Sequence, residues 1–174
     1  MENKFNLPTE TVDLPSKGLL YPKDSPLAEG KIEMKYMTAK EEDILTNSNY
    51  IRQGVVIDKL LQSLIVSPIN YSDLLIGDKD AVMMAARILG YGKDYDFLYL
   101  GEKVTVDLST LNLKELNESL VKEKGKNEFQ FKLPNTDNTV TFKLLTQKDD
   151  RDIEAELEGL KKLNKNDNSE LTTR

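Results

Sequence analysis

The side chains that most often do chemistry at neutral pH are missing from this sequence, which has no histidine and no cysteine. Ser-His and Cys-His nucleophilic systems, thiolate metal sites and disulfides are thereby excluded, along with the commonest base near pH 7. Carboxylate, lysine and tyrosine chemistry remain. Ser119-Leu120-Val121-Lys122 has the Ser-x-x-Lys spacing in which a lysine assists serine attack in some acyl-transfer enzymes. The companion motifs are lacking and Lys122-Glu123-Lys124 is strongly charged, so the run reads as a surface helix. Gly90-Tyr91-Gly92-Lys93-Asp94-Tyr95 imitates a dinucleotide loop, but a helix precedes it, a strand follows, and Tyr95 holds the third glycine position. It reads as a helix stop. The alternating oxygens of Asn164–Glu170 echo a calcium loop without its sixth-position glycine or its distal bidentate acid, which makes them a solvated tail.

Carboxylates gather at Glu41, Glu42 and Asp43, and again at Asp149, Asp150, Asp152, Glu154, Glu156 and Glu158. Two carboxylates held in a cleft can hydrolyse glycosides or bind a cation. Both groups instead open expected helices, where negative charge suits the helix dipole, and Glu158 is spaced to pair with Lys161 or Lys162. They read as solvated faces. The expectation is no catalytic residue, no cofactor and no metal.

The elements that must position these groups come from pattern and length. A chain of 174 residues with 39% apolar content fits one domain with appendages and one modest core. A net charge of −6 and no Lys/Arg run argue against a nucleic-acid partner. The start lacks a basic-then-apolar leader, and no apolar stretch nears the roughly 18 residues a membrane span needs, so no membrane contact is expected.

Residues 1–30 hold four of the six prolines, at Pro8, Pro15, Pro22 and Pro26, and read as an extended proline-rich arm. Residues 31–145 read as an α+β domain, with a helical part at 31–92 and a β-hairpin part at 93–145; 146–174 read as a charged helix and a polar tail. Ile32, Met34 and Tyr36 alternate as the buried side of a strand. Thr38 and Glu41 match a capping box before a short helix through Leu45. Val56, Ile57, Leu60, Leu61, Leu64 and Ile65 share one helical face, and Pro68 stops it. Residues 79–89 predict a second, evenly apolar helix capped by Asp78, with Met84, Ala85 and Ile88 nearly inaccessible. Tyr95–Leu100 and Lys103–Leu108 predict a hairpin around Gly101-Glu102; Phe129–Leu133 and Val140–Leu144 predict another. The fold class is α+β: a small helical core at about 39–90 with an N-terminal strand, then β-hairpins and a charged C-terminal helix.

Two features point to partners. Leu14, Leu19, Leu20 and Tyr21 lie among prolines and a glycine, too apolar for a solvated tail and too broken for a helix. They predict a segment lying in a groove, either on this domain or on a neighbour. Ile153, Leu157 and Leu160 form a narrow helical stripe fit for this chain's own sheet or for another subunit.

Leu14-Pro15-Ser16-Lys17-Gly18 with Tyr21-Pro22 is followed by Tyr36-Met37-Thr38-Ala39, Glu41-Glu42-Asp43-Ile44-Leu45-Thr46 and Asp58-Lys59-Leu60-Leu61. Asp73-Leu74-Leu75-Ile76-Gly77-Asp78 and Ala85-Ala86-Arg87-Ile88-Leu89-Gly90-Tyr91-Gly92 complete an ordered series over residues 14–92. The series resembles the T4-type bacteriophage baseplate protein family, described as baseplate hub subunits or hub assembly chaperones. Some members carry paired cysteines after the Gly-Tyr-Gly stretch, suggesting a zinc knuckle; here Tyr95–Leu108 must hold as an ordinary hairpin. Members also continue past the segment at Leu171–Arg174, which implies a short or truncated member. The resemblance implies a non-enzymatic structural or assembly protein of a contractile phage tail. Its partners would be other tail or baseplate hub proteins, with an oligomer within the assembly, in the virion or in host cytoplasm during assembly. The alternatives are a carboxylate-based tail-associated cell-wall hydrolase using two of Glu41, Glu42, Asp149 and Asp152, and a binding module that accepts a strand at the 127–145 hairpin.

Overall fold

The structure is a computed structural model and describes residues 8–111, 114 and 116–163, the last three of these by backbone alone. Strand β1, Thr9–Asp13, pairs antiparallel with β2, Lys31–Lys35, with Val12 opposite Ile32. Alternation along β2 buries Ile32 and Met34 and leaves Lys31 and Glu33 in solvent. The second edge of β2 is closed by the chain that returns after the third helix: Val66 N donates to Glu33 O at 2.9 Å, and Glu33 N donates to Ser67 Oγ at 2.8 Å. Because the strand ends at Lys35, Tyr36 is exposed rather than buried as its alternation suggested.

Helix α1, Ala39–Thr46, begins with the expected capping box between Thr38 and Glu41. A short helix α2, Ser48–Arg52, follows where no helix was expected; Asn47 Oδ1 accepts the N–H groups of Asn49 and Tyr50 and so restarts the chain. Helix α3, Val56–Leu64, buries Leu60, Leu61 and Leu64. Helix α4, Ile76–Tyr91, starts three residues before the predicted 79–89 segment and ends two after it. Its flanking residue is Leu75 rather than Asp78, and the residues turned inward are Asp78, Ala81, Val82 and Ala86. Met84, Ala85 and Ile88 are half-buried, not inaccessible. A stripe recurring every four residues faces the core, and apolar side chains off that stripe stay at its margin.

Beyond α4, β3 (Asp94–Tyr99) and β4 (Glu102–Asp107) form one antiparallel ribbon, and β5 (Phe129–Lys132) and β6 (Thr139–Phe142) another. Residues 108–110 and 118–120 make single 3₁₀ turns. Helix α5, Gln147–Leu163, opens at Thr146, whose N and Oγ1 donate to Asp149 Oδ2 at 3.0 and 2.8 Å. Its first turn docks on the segment before α4: Gln147 N donates to Leu74 O at 2.8 Å and Arg151 Nη2 to Ser72 Oγ at 2.6 Å. The protein is α+β, with a helical core, an N-terminal pair of strands where one was expected, two hairpins and a C-terminal helix. The polar tail from Asn164 and its calcium-loop echo lie outside the described residues.

Candidate interaction surface

The proline-rich N-terminal segment is a packed element, not an extended arm. After β1 it turns repeatedly, with Lys17 N donating to Leu14 O, Leu19 N to Ser16 O and Ser25 N to Pro22 O. It then makes a 3₁₀ turn at Pro26–Glu29 that buries Leu27. Leu14, Leu20 and Tyr21, expected as partner contacts, are buried in this chain's own hydrophobic core, which is the intramolecular groove of the two alternatives. Leu19 is half-buried, and its carbonyl accepts Gly125 N at 2.8 Å.

The anchor of this segment is Asp78, which is fully buried on the first turn of α4. Its Oδ1 accepts Ser16 N at 2.9 Å; its Oδ2 accepts Ser16 Oγ at 2.6 Å and Tyr21 Oη at 2.5 Å. Tyr21 Oη in turn accepts Leu75 N at 2.9 Å. Burial, and then the adjacent Asp78 charge, push the Tyr21 phenol far above its ordinary pKa, so it stays a donor.

The acids expected on solvated faces divide. Glu42 and Asp43 are exposed, whereas Glu41 is fully buried. Glu41 Oε1 accepts Lys35 Nζ at 2.8 Å and Ser63 Oγ at 2.7 Å, and Oε2 accepts Thr38 N at 3.1 Å and Thr38 Oγ1. Burial alone would raise its pKa, but these bonds outweigh it and hold the carboxyl at about 2. With its acceptor positions filled, Glu41 ties β2, α1 and α3 together. Asp58 does the same between other elements, accepting Tyr71 Oη and Lys79 Nζ, each at 2.8 Å, and Gln147 Nε2 at 3.2 Å. Lys143 beside Asp149 and the Thr146 N–H hold the Asp149 carboxyl at about 2. No group of three or more acids among the described residues is placed to hold a metal ion. Ser119 Oγ donates to Asn117 Oδ1 at 2.8 Å within a turn, and Gly92, with a φ of +80°, ends α4 where the Gly-Tyr-Gly run stops. Ile153, Leu157 and Leu160 are half-buried along α5.

The surface that sequence reasoning did not single out is the β3–β4 ribbon. All six residues of β3 are exposed, and at the tip Leu98, Tyr99 and Leu100 retain 75%, 63% and 90% of their accessible surface. The two-residue turn places Leu100 at a φ of +52° and Gly101 at +88°. Asn, Asp or Gly normally fills the first such position, and a leucine there costs about 1–2 kcal/mol of backbone strain. At 90% exposure, this strained leucine buries almost no surface within the fold. The ribbon is nonetheless fixed at its base: Arg87 on α4 lies over the Tyr91 and Tyr95 rings at 5.1 and 5.5 Å, and Leu108 N donates to Lys93 O at 2.8 Å. The available signal was Phe97-Leu98-Tyr99-Leu100, apolar without alternation, which leaves apolar groups on both faces of a two-stranded ribbon.

At the other end of α4, an apolar pocket of about 700 Å³ opens between the helix start, Lys114, Leu116, Asn117 and Leu120, and residues 144–145. Comparison with protein-family models, curated proteins and solved structures finds no match to this chain. No described helix is long and apolar enough to cross a membrane.

Proposed function

We propose that this chain is a non-enzymatic structural or assembly protein of a contractile phage tail, acting at the baseplate hub through protein–protein contacts. The observation that carries the contact reading is the bare β3–β4 tip, where Leu98, Tyr99 and Leu100 face solvent on a braced ribbon. Contiguous exposed apolar surface of this kind marks an interaction site or an aggregation hazard. The phage-tail assignment rests on the resemblance over residues 14–92. Three residues that carry the resemblance, Ser16, Tyr21 and Asp78, meet in one buried network, which gives that motif spacing a fold-determining reason. The partners are other tail or hub proteins, and the place of action is the tail baseplate or the host cytoplasm during assembly.

Mass spectrometry of purified virions and of tail-assembly intermediates from infected cells tests this reading. Recovery in either supports it and separates a resident subunit from a transient chaperone; absence from both contradicts it. Strand addition at 127–145 is a second reading, favoured by β5–β6 being a two-stranded ribbon with an edge on each side and exposed Phe131, Val140 and Phe142. Pull-down with and without that hairpin separates the two.

A further inference from the structure

We propose that the Ile153–Leu157–Leu160 face of α5 docks a basic amphipathic helix of another protein. The inference rests on the reading of this chain as one that acts through protein–protein contacts, and it names the chemistry of one partner surface. Helix α5 is held to the domain at its start, where Gln147 N donates to Leu74 O at 2.8 Å and Arg151 Nη2 to Ser72 Oγ at 2.6 Å. At about 3.6 residues per turn, Ile153, Leu157 and Leu160 fall on one stripe further along the helix. All three are half-buried, and none belongs to the set packed against the hydrophobic core. Asp152 and Glu156 run along one flank of the stripe and Glu154 along the other, each exposed. An apolar line with charged flanks is the arrangement in which the flanking charges choose the partner helix.

The sign of the partner follows from these charges. The stretch from Asp149 to Glu158 holds six acids and one base, Arg151, and Lys161 and Lys162 come only after it. The helix dipole favours acids in the first turn, which accounts for Asp149 and Asp150 but not for Asp152, Glu154 and Glu156. Asp150–Glu154, Asp152–Glu156 and Glu154–Glu158 are like-charge pairs four residues apart, which weaken a helix standing alone. Lysine or arginine on the flanks of a partner helix turns that repulsion into attraction. Acids line both flanks of the stripe, so two copies of the 149–158 face repel each other, and the occupant is a different, basic chain.

Fluorescence anisotropy of two labelled, helix-stapled peptides with the purified full chain tests this. The peptides share an Ile/Leu seam and differ only in carrying lysine or glutamate on both flanks. Asp152→Lys with Glu156→Lys reverses one flank at exposed positions, and Leu157→Ser removes the centre of the seam. Circular dichroism melts check that each variant folds; should Leu157→Ser unfold, the charge reversal alone decides. The lysine peptide is expected to bind the wild type at least tenfold more tightly than the glutamate peptide, and more weakly as salt is raised. The charge-reversed variant is expected to lose that preference, and folded Leu157→Ser to lose at least tenfold in affinity for the lysine peptide. No binding of the lysine peptide, equal binding of both, a preference unchanged by the charge reversal, or wild-type self-association that Leu157→Ser abolishes would each overturn the proposal. If the lysine peptide fails to bind while the full chain still captures tail proteins from infected cells, the seam is rejected and the contact reading stands. If the peptide binds as expected while no tail protein is captured, the seam is upheld and the phage-tail reading fails.

Discussion

Ser16 Oγ donates to Asp78 Oδ2 at 2.6 Å, joining the N-terminal segment to the first turn of α4 across 62 residues of sequence. Asp78 sits where the backbone N–H groups of a helix start favour negative charge, and Ser16 and Tyr21 supply its three hydrogen bonds. The bond thus locks the segment bearing Leu14, Leu20 and Tyr21 over the core. Asp78→Ala is expected to lower unfolding free energy by about 3 kcal/mol or more, because three buried donors lose their acceptor. Tyr21→Phe is expected to cost roughly 1.5–3 kcal/mol. Urea titration measures both, and a wild-type midpoint in either would contradict the lock.

Deleting residues 1–23 removes β1 and three buried side chains, each contributing about 1.5–3 kcal/mol by burial. The truncated protein is expected to lose its cooperative thermal transition. A transition retained at the wild-type temperature would show that the segment is not part of the core.

Gly18 has a φ of +73°, and a Cβ there would lie 2.3 Å from the Ala28 carbonyl oxygen. Gly54 has nearly the same φ, +69°, with open space around it. Gly54→Ala is expected to cost only the left-handed strain, about 1–2 kcal/mol. Gly18→Ala must also push two backbone segments apart and is expected to cost clearly more. Equal losses in melting would contradict the close packing of the 14–30 turns.

Glu41 gives the pH dependence. Its folded pKa of about 2 lies below the ordinary value of 4.5, so the folded state binds the proton less readily than the unfolded chain. The stability it contributes is fully present above pH 4.5 and is lost as pH falls from there through about 2. Glu41→Gln is expected to be less stable at pH 7 by about 2–3 kcal/mol and to show a shallower loss between pH 4.5 and 2. Parallel acid limbs for the two proteins in urea titrations would contradict this.

Much of the fold was legible because its signals are local. Thr38 and Glu41 announced a cap, the apolar face of α3 announced a helix, alternation announced the β5–β6 hairpin, and two strand-like runs around Gly101-Glu102 announced the β3–β4 one. The N-terminal segment was misread because its order comes from a partner 62 residues away; prolines and turns show no periodicity from which Asp78 could be inferred. Asp78 itself looked like a cap, since an acid near a helix start serves either as cap or as an inward anchor, and sequence does not choose. The exposed β3–β4 tip was missed for a related reason. Sequence shows that Leu98, Tyr99 and Leu100 are apolar, but only the absence of a packing element among the described residues over this two-stranded ribbon makes them exposed.

The central claim is that Leu100 serves a partner rather than the fold. Asparagine tolerates the positive φ that strains leucine, so Leu100→Asn is expected to be as stable as the wild type or more so, by up to about 1 kcal/mol. The direct measurement is affinity capture of the tagged full chain from infected cells, wild type against Leu100→Asn, with bound proteins identified by mass spectrometry. Tail or hub proteins are expected with the wild type and depleted at least tenfold with the variant. Equal recovery by both, or no tail protein with either, would contradict the account.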